Sequence, residues 1–352
     1  MPSRIDQKRR NFLGTAAAGV AAAPAALMAG PALAQAPGAT NTAGTASAPG
    51  ASSPLRRLEP LKHVDAGVLN IAYYEAGPAS GPAAVLMHGF PYDIHSYVDV
   101  APLLAARGVR VIVPYLRGYG PTRFLDAATP RSGQQGAIGA DLIALMDALK
   151  IERAVVGGYD WGGRAACVAA ALYPQRCTGL VCVNSYLIMN IARNQQPTPP
   201  RPGAWYQYYL HSELSRGGLE KYRREFARTL WTQWSPNWKF DDATFERSAV
   251  AFDSPDFIEV VIHSYRHRFG LAPGDPRYAE IEARLATTPP ITIPAITLDS
   301  GADGALPATD GKATAARFTN RRTHRVIAGA GHNLPQEAPQ AFADAVAELA
   351  GV

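Results

Sequence analysis

A carboxylate occupies the most chemically suggestive position in this sequence. The run Val155-Val156-Gly157-Gly158-Tyr159-Asp160-Trp161-Gly162-Gly163-Arg164-Ala165-Ala166 reads as a short apolar strand, a Gly-x-Asp-x-Gly turn and a small-residue helix. This is the pattern of a nucleophile elbow, with aspartate where such turns commonly carry serine. Glycines at 158 and 162 suit it, because a sharp turn and close helix–strand packing leave no room for Cβ atoms. The exchange of residue changes the chemistry. A carboxylate is a poor nucleophile toward acyl carbon, but it can displace a leaving group at saturated carbon, giving an ester on the protein that water must then cleave. Strained epoxides and alkyl halides are carbon centres open to such attack at neutral pH.

Three more segments at predicted strand ends supply partners for Asp160. His88-Gly89-Phe90-Pro91 follows Ala83–Met87 and can turn the backbone N–H of Phe90 toward the site. With the N–H of Trp161 it would form an oxyanion hole. Pro91 is a candidate for a cis bond, and His88 for a structural hydrogen-bonding role beneath the loop. Asp299-Ser300-Gly301-Ala302-Asp303-Gly304 offers two acids. Asp303 is preferred as the residue that orients a histidine, since Asp299 directly follows the strand and suits a turn cap. Gly329-Ala330-Gly331-His332 places His332 in a glycine loop before the last helix. The chain order is thus nucleophile, acid, histidine.

The elements around these residues alternate. Val68–Glu75, Ala83–Met87, Val109–Pro114, Ala154–Gly158, Leu180–Asn184, Ile293–Leu298 and His324–Ile327 read as strands. Ser132–Leu149 has helical spacing, with Ile138, Leu142, Leu145, Met146 and Leu149 on one face, and an amphipathic helix is expected from Pro339 to Leu349. Strands alternating with helices imply an α/β class with a mostly parallel sheet. The alternation stops from residue 185 to 290, where Trp, Tyr, Arg and Pro gather. That stretch is expected to be a helical cap inserted after the sixth strand, between core segments 54–184 and 291–352.

Residues 1–36 read as a targeting segment. Lys8-Arg9-Arg10-Asn11-Phe12-Leu13-Gly14 sets two arginines before Phe-Leu and a weakly apolar Ala/Gly-rich stretch, and Ala34-Gln35-Ala36 supplies a small-x-small cleavage site. This is the form of a bacterial twin-arginine export signal. The expected partner is the twin-arginine machinery and the expected location the periplasm or beyond. Residues 37–53 read as a flexible linker. The formal charge of the chain is +5, and four cations against one acid lie within residues 1–36, so the remainder carries only about +2 without a basic cluster. Nucleic-acid binding is not suggested, and no later run is apolar enough to cross a bilayer. Cys167, Cys177 and Cys182 lack metal-ligand spacing. Cys167 and Cys182 read as small core residues, while a pairing through Cys177 stays open. No cofactor or metal motif is present.

Residues 60 to 350 resemble the α/β-hydrolase superfamily, and within it the epoxide hydrolase branch. The resemblance rests on His88-Gly89-Phe90-Pro91, Arg117-Gly118-Tyr119-Gly120, Gly158-Tyr159-Asp160-Trp161-Gly162-Gly163 and Gly331-His332. It implies a mostly parallel eight-stranded sheet flanked by helices and a cofactor-free catalytic triad of Asp160, His332 and Asp303. It also implies two cap tyrosines that protonate the departing epoxide oxygen. Trp205-Tyr206-Gln207-Tyr208-Tyr209 and Ser264-Tyr265-Arg266 match that pair, giving Tyr206 and Tyr265, with Tyr209 in reserve and Phe90, Trp161 and Tyr209 as substrate contacts. Phenols suit the task because an alkoxide leaves poorly without a proton.

There are departures. Tyr159 replaces the usual histidine, and Tyr115 stands where the branch has aspartate. Haloalkane dehalogenases share Asp-Trp-Gly at the elbow and use the same triad, so a haloalkane or haloacid dehalogenase is the alternative, with the Trp161 indole as a halide donor. Fluoroacetate dehalogenases carry Asp-Arg-x-x-Arg. Here Trp161 replaces the first arginine and only Arg164 remains, leaving a carboxylate clamp incomplete. A catalytically silent binding protein on this scaffold is opposed by the filled triad positions.

Overall fold

The computed structural model describes residues 55–194, 196 and 202–352. The expected signal segment 1–36 and linker 37–53 lie outside the described residues. The apolar runs become a nine-stranded sheet: β1 (Leu61–Ala66), β2 (Leu69–Ala76), β3 (Ala83–Met87), β4 (Arg110–Pro114), β5 (Arg123–Phe124), β6 (Ala154–Gly158), β7 (Cys177–Val183), β8 (Ala295–Ser300) and β9 (Arg322–Ile327), in the order β1-β2-β4-β3-β6-β7-β8-β9, with β5 pairing on β2. From β4 onward along that path every pairing is parallel, while β1, β2 and β5 form antiparallel pairs at one side. The central strands β6 and β8 are buried along their whole length, as parallel strands covered on both faces must be.

Eight principal strands match the expected class, and the ninth is the two-residue β5. The sequence reading missed β1, because Leu-Lys-His-Val-Asp-Ala exposes much of its length and has too little apolar alternation to register. Helices Gln135–Ala148 and Asp160–Leu172 pack against each other, as do Val100–Ala105 and Pro339–Ala350, and both pairs lie on the sheet. Between β7 and β8 the chain forms helices Trp205–His211, Leu214–Trp234, Asp242–Ala249, Phe257–His267 and Ala279–Ala286. No helix among the described residues is long and apolar enough to cross a membrane. All three cysteines are buried and free, with Cys167 Sγ 3.5 Å from Cys182 Sγ.

Candidate active site

β6 runs into the elbow helix through Tyr159, which is extended, and Asp160, whose φ of +49° is a left-handed conformation that costs a non-glycine residue energy. The turn is fixed by contact. A Cβ on Gly162 would overlap the Met87 carbonyl at the end of β3, and one on Gly158 would strike the backbone of Gly162. Backbone therefore meets backbone here, and the strain is held at the one residue whose side chain must project. The Phe90 N–H donates to Asp160 Oδ1 at 2.8 Å, from the loop containing the cis Phe90–Pro91 bond. Trp161 N–H lies in the first turn of the elbow helix, where backbone donors have no helical partner. Among the described residues it makes no hydrogen bond to Asp160, so only half of the expected oxyanion hole is engaged. His88 lies beneath: its Nε2 accepts from Leu116 N–H at 3.1 Å, which leaves Nδ1 protonated toward Gly89 O at 3.0 Å. Burial pushes this imidazole down to about 4, so it stays neutral.

His332 completes the arrangement. Its Nδ1 lies 2.9 Å from Asp303 Oδ2, and its Nε2 faces Asp160 Oδ2 at 3.9 Å with no other partner. Asp303 Oδ1 accepts the N–H groups of Ala305 and Leu306 at 2.7 and 2.9 Å. Asp299, the rival acid, instead accepts the N–H and hydroxyl of Thr309. Burial alone would raise the Asp303 carboxyl, but the His332 charge and hydrogen bond and the two N–H donors hold it below its ordinary value. Burial would likewise lower the His332 imidazole, and the Asp303 carboxylate outweighs it and raises it.

This has a consequence for rate. A base must be neutral, and His332 is protonated below a pKa lifted above the ordinary 6.5. A step using it should lose rate as pH falls, with a midpoint above 6.5. Asp303→Asn removes the charge that lifts it and leaves burial, so the midpoint should move down while kcat falls by about 10²- to 10⁴-fold. A kcat–pH profile of both proteins checks the sign.

Sequence reasoning missed the residues that hold the histidine loop. The His332 N–H donates to Ser235 Oγ at 3.0 Å and to the Trp234 carbonyl at 3.2 Å. The Ser235 hydroxyl donates to Glu337 Oε1 at 2.6 Å, and Glu337 also accepts the N–H groups of Gly331 and Asn333. The Trp234 ring lies edge-on to the imidazole at 4.8 Å. Glu337 follows His332 by five residues, but nothing in the sequence links Ser235 of the cap to that loop.

A cavity of about 520 Å³ opens on Asp160 and His332, and Tyr206, Trp234, Leu306 and Phe269 help to wall it. Gln207 Nε2 donates to the Tyr206 hydroxyl at 3.0 Å, which leaves the phenolic proton free to be given away. Tyr265 is fully buried one layer behind, edge-on to Tyr206 with ring centroids 5.5 Å apart. Burial raises both phenols above their ordinary value, so both are protonated at neutral pH. The expected substrate contacts need correction. Tyr209 stacks on Phe226 at 5.4 Å with its hydroxyl turned to Gly218, where the missing side chain makes space. The Phe90 and Trp161 rings are fully buried and stacked on each other at 5.6 Å. None of the three lines the cavity; Leu187, Ile188 and Met189 do. Arg164 lines it as well, together with Arg268 from the end of helix Phe257–His267, a residue the sequence reading did not single out. Among the described residues no group of three His, Cys, Asp or Glu side chains is placed to hold a metal ion.

A family model described as alpha/beta hydrolase fold matches residues 82–339. A solved candidate epoxide hydrolase from Klebsiella pneumoniae is 46% identical, with 84% of this chain and 98% of that chain covered and a TM-score of 0.82. Epoxide hydrolase 2 of Siraitia grosvenorii is 33% identical over 132 residues, 37% of this chain, so the chain spans about two fifths (41%) of that curated relative's length. Epoxide hydrolase A of Mycobacterium tuberculosis is 26% identical over 81% of this chain and 95% of its own length.

Proposed function

The chain belongs to the α/β-hydrolase fold family, in its epoxide hydrolase branch, and from that premise we propose that it is an epoxide hydrolase working through a covalent ester on Asp160. The observation that carries the reading is a carboxylate at the elbow, 3.9 Å from an imidazole held by Asp303, with the half-buried Tyr206 phenol on the same cavity wall. Asp160 Oδ2, the oxygen not engaged by Phe90, attacks an epoxide carbon. A carbon–oxygen bond forms to Oδ2 and the ring carbon–oxygen bond breaks, its electron pair staying on the ring oxygen. Tyr206, with Tyr265 behind it, protonates that oxygen. His332 then takes a proton from water through Nε2, and the hydroxide adds to the ester carbonyl. Oδ1 becomes an oxyanion facing the N–H groups of Phe90 and Trp161. Collapse expels the alkoxide of the ester, which takes the proton held by His332. The Asp160 carboxyl formed by the hydroxide gives its proton back to the Tyr206 phenolate, and a vicinal diol leaves. The net change is addition of one water.

A single turnover in heavy-oxygen water tests this. With enzyme in excess, the heavy oxygen should appear in the Asp160 peptide and not in the diol, because water attacks the acyl carbon. A labelled diol with an unlabelled peptide would mean direct attack of water on the epoxide and would sink the ester route.

One observation favours a second reading. The indole N–H of Trp161, the residue after Asp160, has no hydrogen-bond partner among the described residues although its ring is set back from the cavity, and a departing halide that reached it would take that donor. A dehalogenase would use the same Asp160, His332 and Asp303. Export belongs to the proposal too: residues 1–36 direct the chain through the twin-arginine route to the periplasm or beyond, and loss of export on Arg9→Lys with Arg10→Lys would support it.

A further inference from the structure

Two arginines face the cavity with unspent donors. Arg164 and Arg268 are each only 8% exposed, and both line it. Arg164 Nε donates to the Leu187 carbonyl at 3.1 Å, and neither of its amino groups has a partner among the described residues. Arg268 is held at the end of its helix: Nε donates to the Ser264 carbonyl at 3.1 Å and Nη2 to Ser264 Oγ at 2.8 Å. Its guanidinium also lies over the Tyr265 ring, 4.2 Å from the centroid. One amino group stays unpaired among the described residues. A helix C-terminus alone accounts for a cation at this position, but not for a second guanidinium in the same wall.

Neither arginine has a carboxylate within ion-pair distance among the described residues, in contrast to Arg117, which is buried on Asp141 at 2.6 Å. Burying an unpaired charge is costly, and two like charges in one wall compound it. The strain shows in Arg164, pushed down to about 10 by burial and by the charge of Arg268. Among the described residues Asp160 is the one acidic residue of the wall, and it loses its charge when it becomes an ester. The site would then hold two cations and no anion, unless the substrate brings one.

We propose that the substrate is an epoxide bearing a carboxylate, clamped between Arg164 and Arg268 while Asp160 attacks the ring. The proposal deepens, and rests on, the epoxide reading. Charge selects a carboxylate over a phosphonate dianion: Asp160 and one carboxylate balance the two guanidiniums, and a dianion would overshoot. Geometry agrees. Arg164 follows Asp160 by four residues, so the two side chains rise from one face of the elbow helix a turn apart. The planar guanidinium fork matches a carboxylate. Leu187, Ile188, Met189 and Phe269 leave an apolar space for the rest of the molecule.

Two comparisons test this. In calorimetry, inert 3-phenylpropanoate should bind the full-length protein at least about 10-fold more tightly than 3-phenylpropanamide, the range for hydrogen bonds to a charged group. In turnover, 3-phenylglycidate should be preferred over its amide by a ratio of kcat/KM that falls about 10-fold or more in Arg164→Gln and in Arg268→Gln, mainly through KM. Arg268→Lys keeps a charge at the helix end and should retain part of the preference, which covers a failure of Arg268→Gln to fold. Equal binding of acid and amide, or a preference that survives in both glutamine variants, overturns the proposal. Absence of diol from either epoxide would instead count against the epoxide reading. The calorimetric pair still decides the anion site then, because its ligands are not turned over.

Discussion

His332→Gln is expected to stop the reaction halfway and leave the protein esterified. Formation of the ester needs the Asp160 carboxylate and an acid for the departing oxygen, but no base. Its hydrolysis needs a proton taken from water, and Nε2 of His332 is the one imidazole nitrogen facing Asp160, at 3.9 Å. Glutamine cannot take that proton. Turnover should fall by about 10⁴-fold, the upper range for removing a general base, which is about 5.5 kcal/mol in barrier. The loop should survive the change, because Ser235, Glu337 and the Trp234 carbonyl hold it through backbone N–H groups. Intact mass spectrometry after incubation with a terminal aryl epoxide should show an adduct of the full epoxide mass, mapped to Asp160. A parallel incubation with a bromoalkane guards the inference. An alkyl adduct with bromide release, and none from the epoxide, would move the assignment to dehalogenase. No adduct from either would sink the covalent mechanism.

That experiment can be designed at all because each triad residue sits in a short local motif. Asp160 was legible since strand, turn and helix are consecutive and Gly158 and Gly162 have one steric purpose, met in the structure by contact with the end of β3. Asp303 and His332 were legible since each follows a strand by a few residues, and the parallel pairing of β7, β8 and β9 brings those strand ends side by side. The cap was not legible in this way. Which of its residues face the sheet depends on how its helices cross over it, and no period records that. Tyr209 shows the limit: it sits three residues from Tyr206 on the same short helix, yet packs on Phe226 instead of the cavity. Arg268 shows the converse. As one of three basic residues around 266–268 it reads as a helix end, and only the fold turns it toward Arg164. Glu337 was lost for another reason: its work is done on backbone N–H groups, which leave no side-chain pattern in a sequence.

The second large effect belongs to the two phenols, and the structure makes them unequal. Tyr206 stands on the cavity wall with a hydroxyl that already accepts from Gln207 and is free to donate, whereas Tyr265 lies behind it. Tyr206→Phe should therefore slow ester formation more than Tyr265→Phe, by about 10²-fold or more, and the double variant should approach 10⁴-fold. The penalty arises because an epoxide oxygen departs as an alkoxide, whose basicity must be met in the transition state by a proton from a group itself kept protonated. Burial does this for both tyrosines by raising them above their ordinary value. Because both phenols serve one oxygen and either alone can supply the proton, the loss in the double variant should exceed the product of the two single losses. Bromide leaves without a proton, so the double variant should still form the alkyl ester from a bromoalkane within about 10-fold of the parent rate, there being no general-acid contribution to lose. Single-turnover rates of Asp160 alkylation, measured with both compounds, separate these outcomes. Equal losses with epoxide and bromide would mean that the tyrosines only shape the cavity, and the proton for the epoxide oxygen would then have to come from another donor of the wall, Tyr186 or His332.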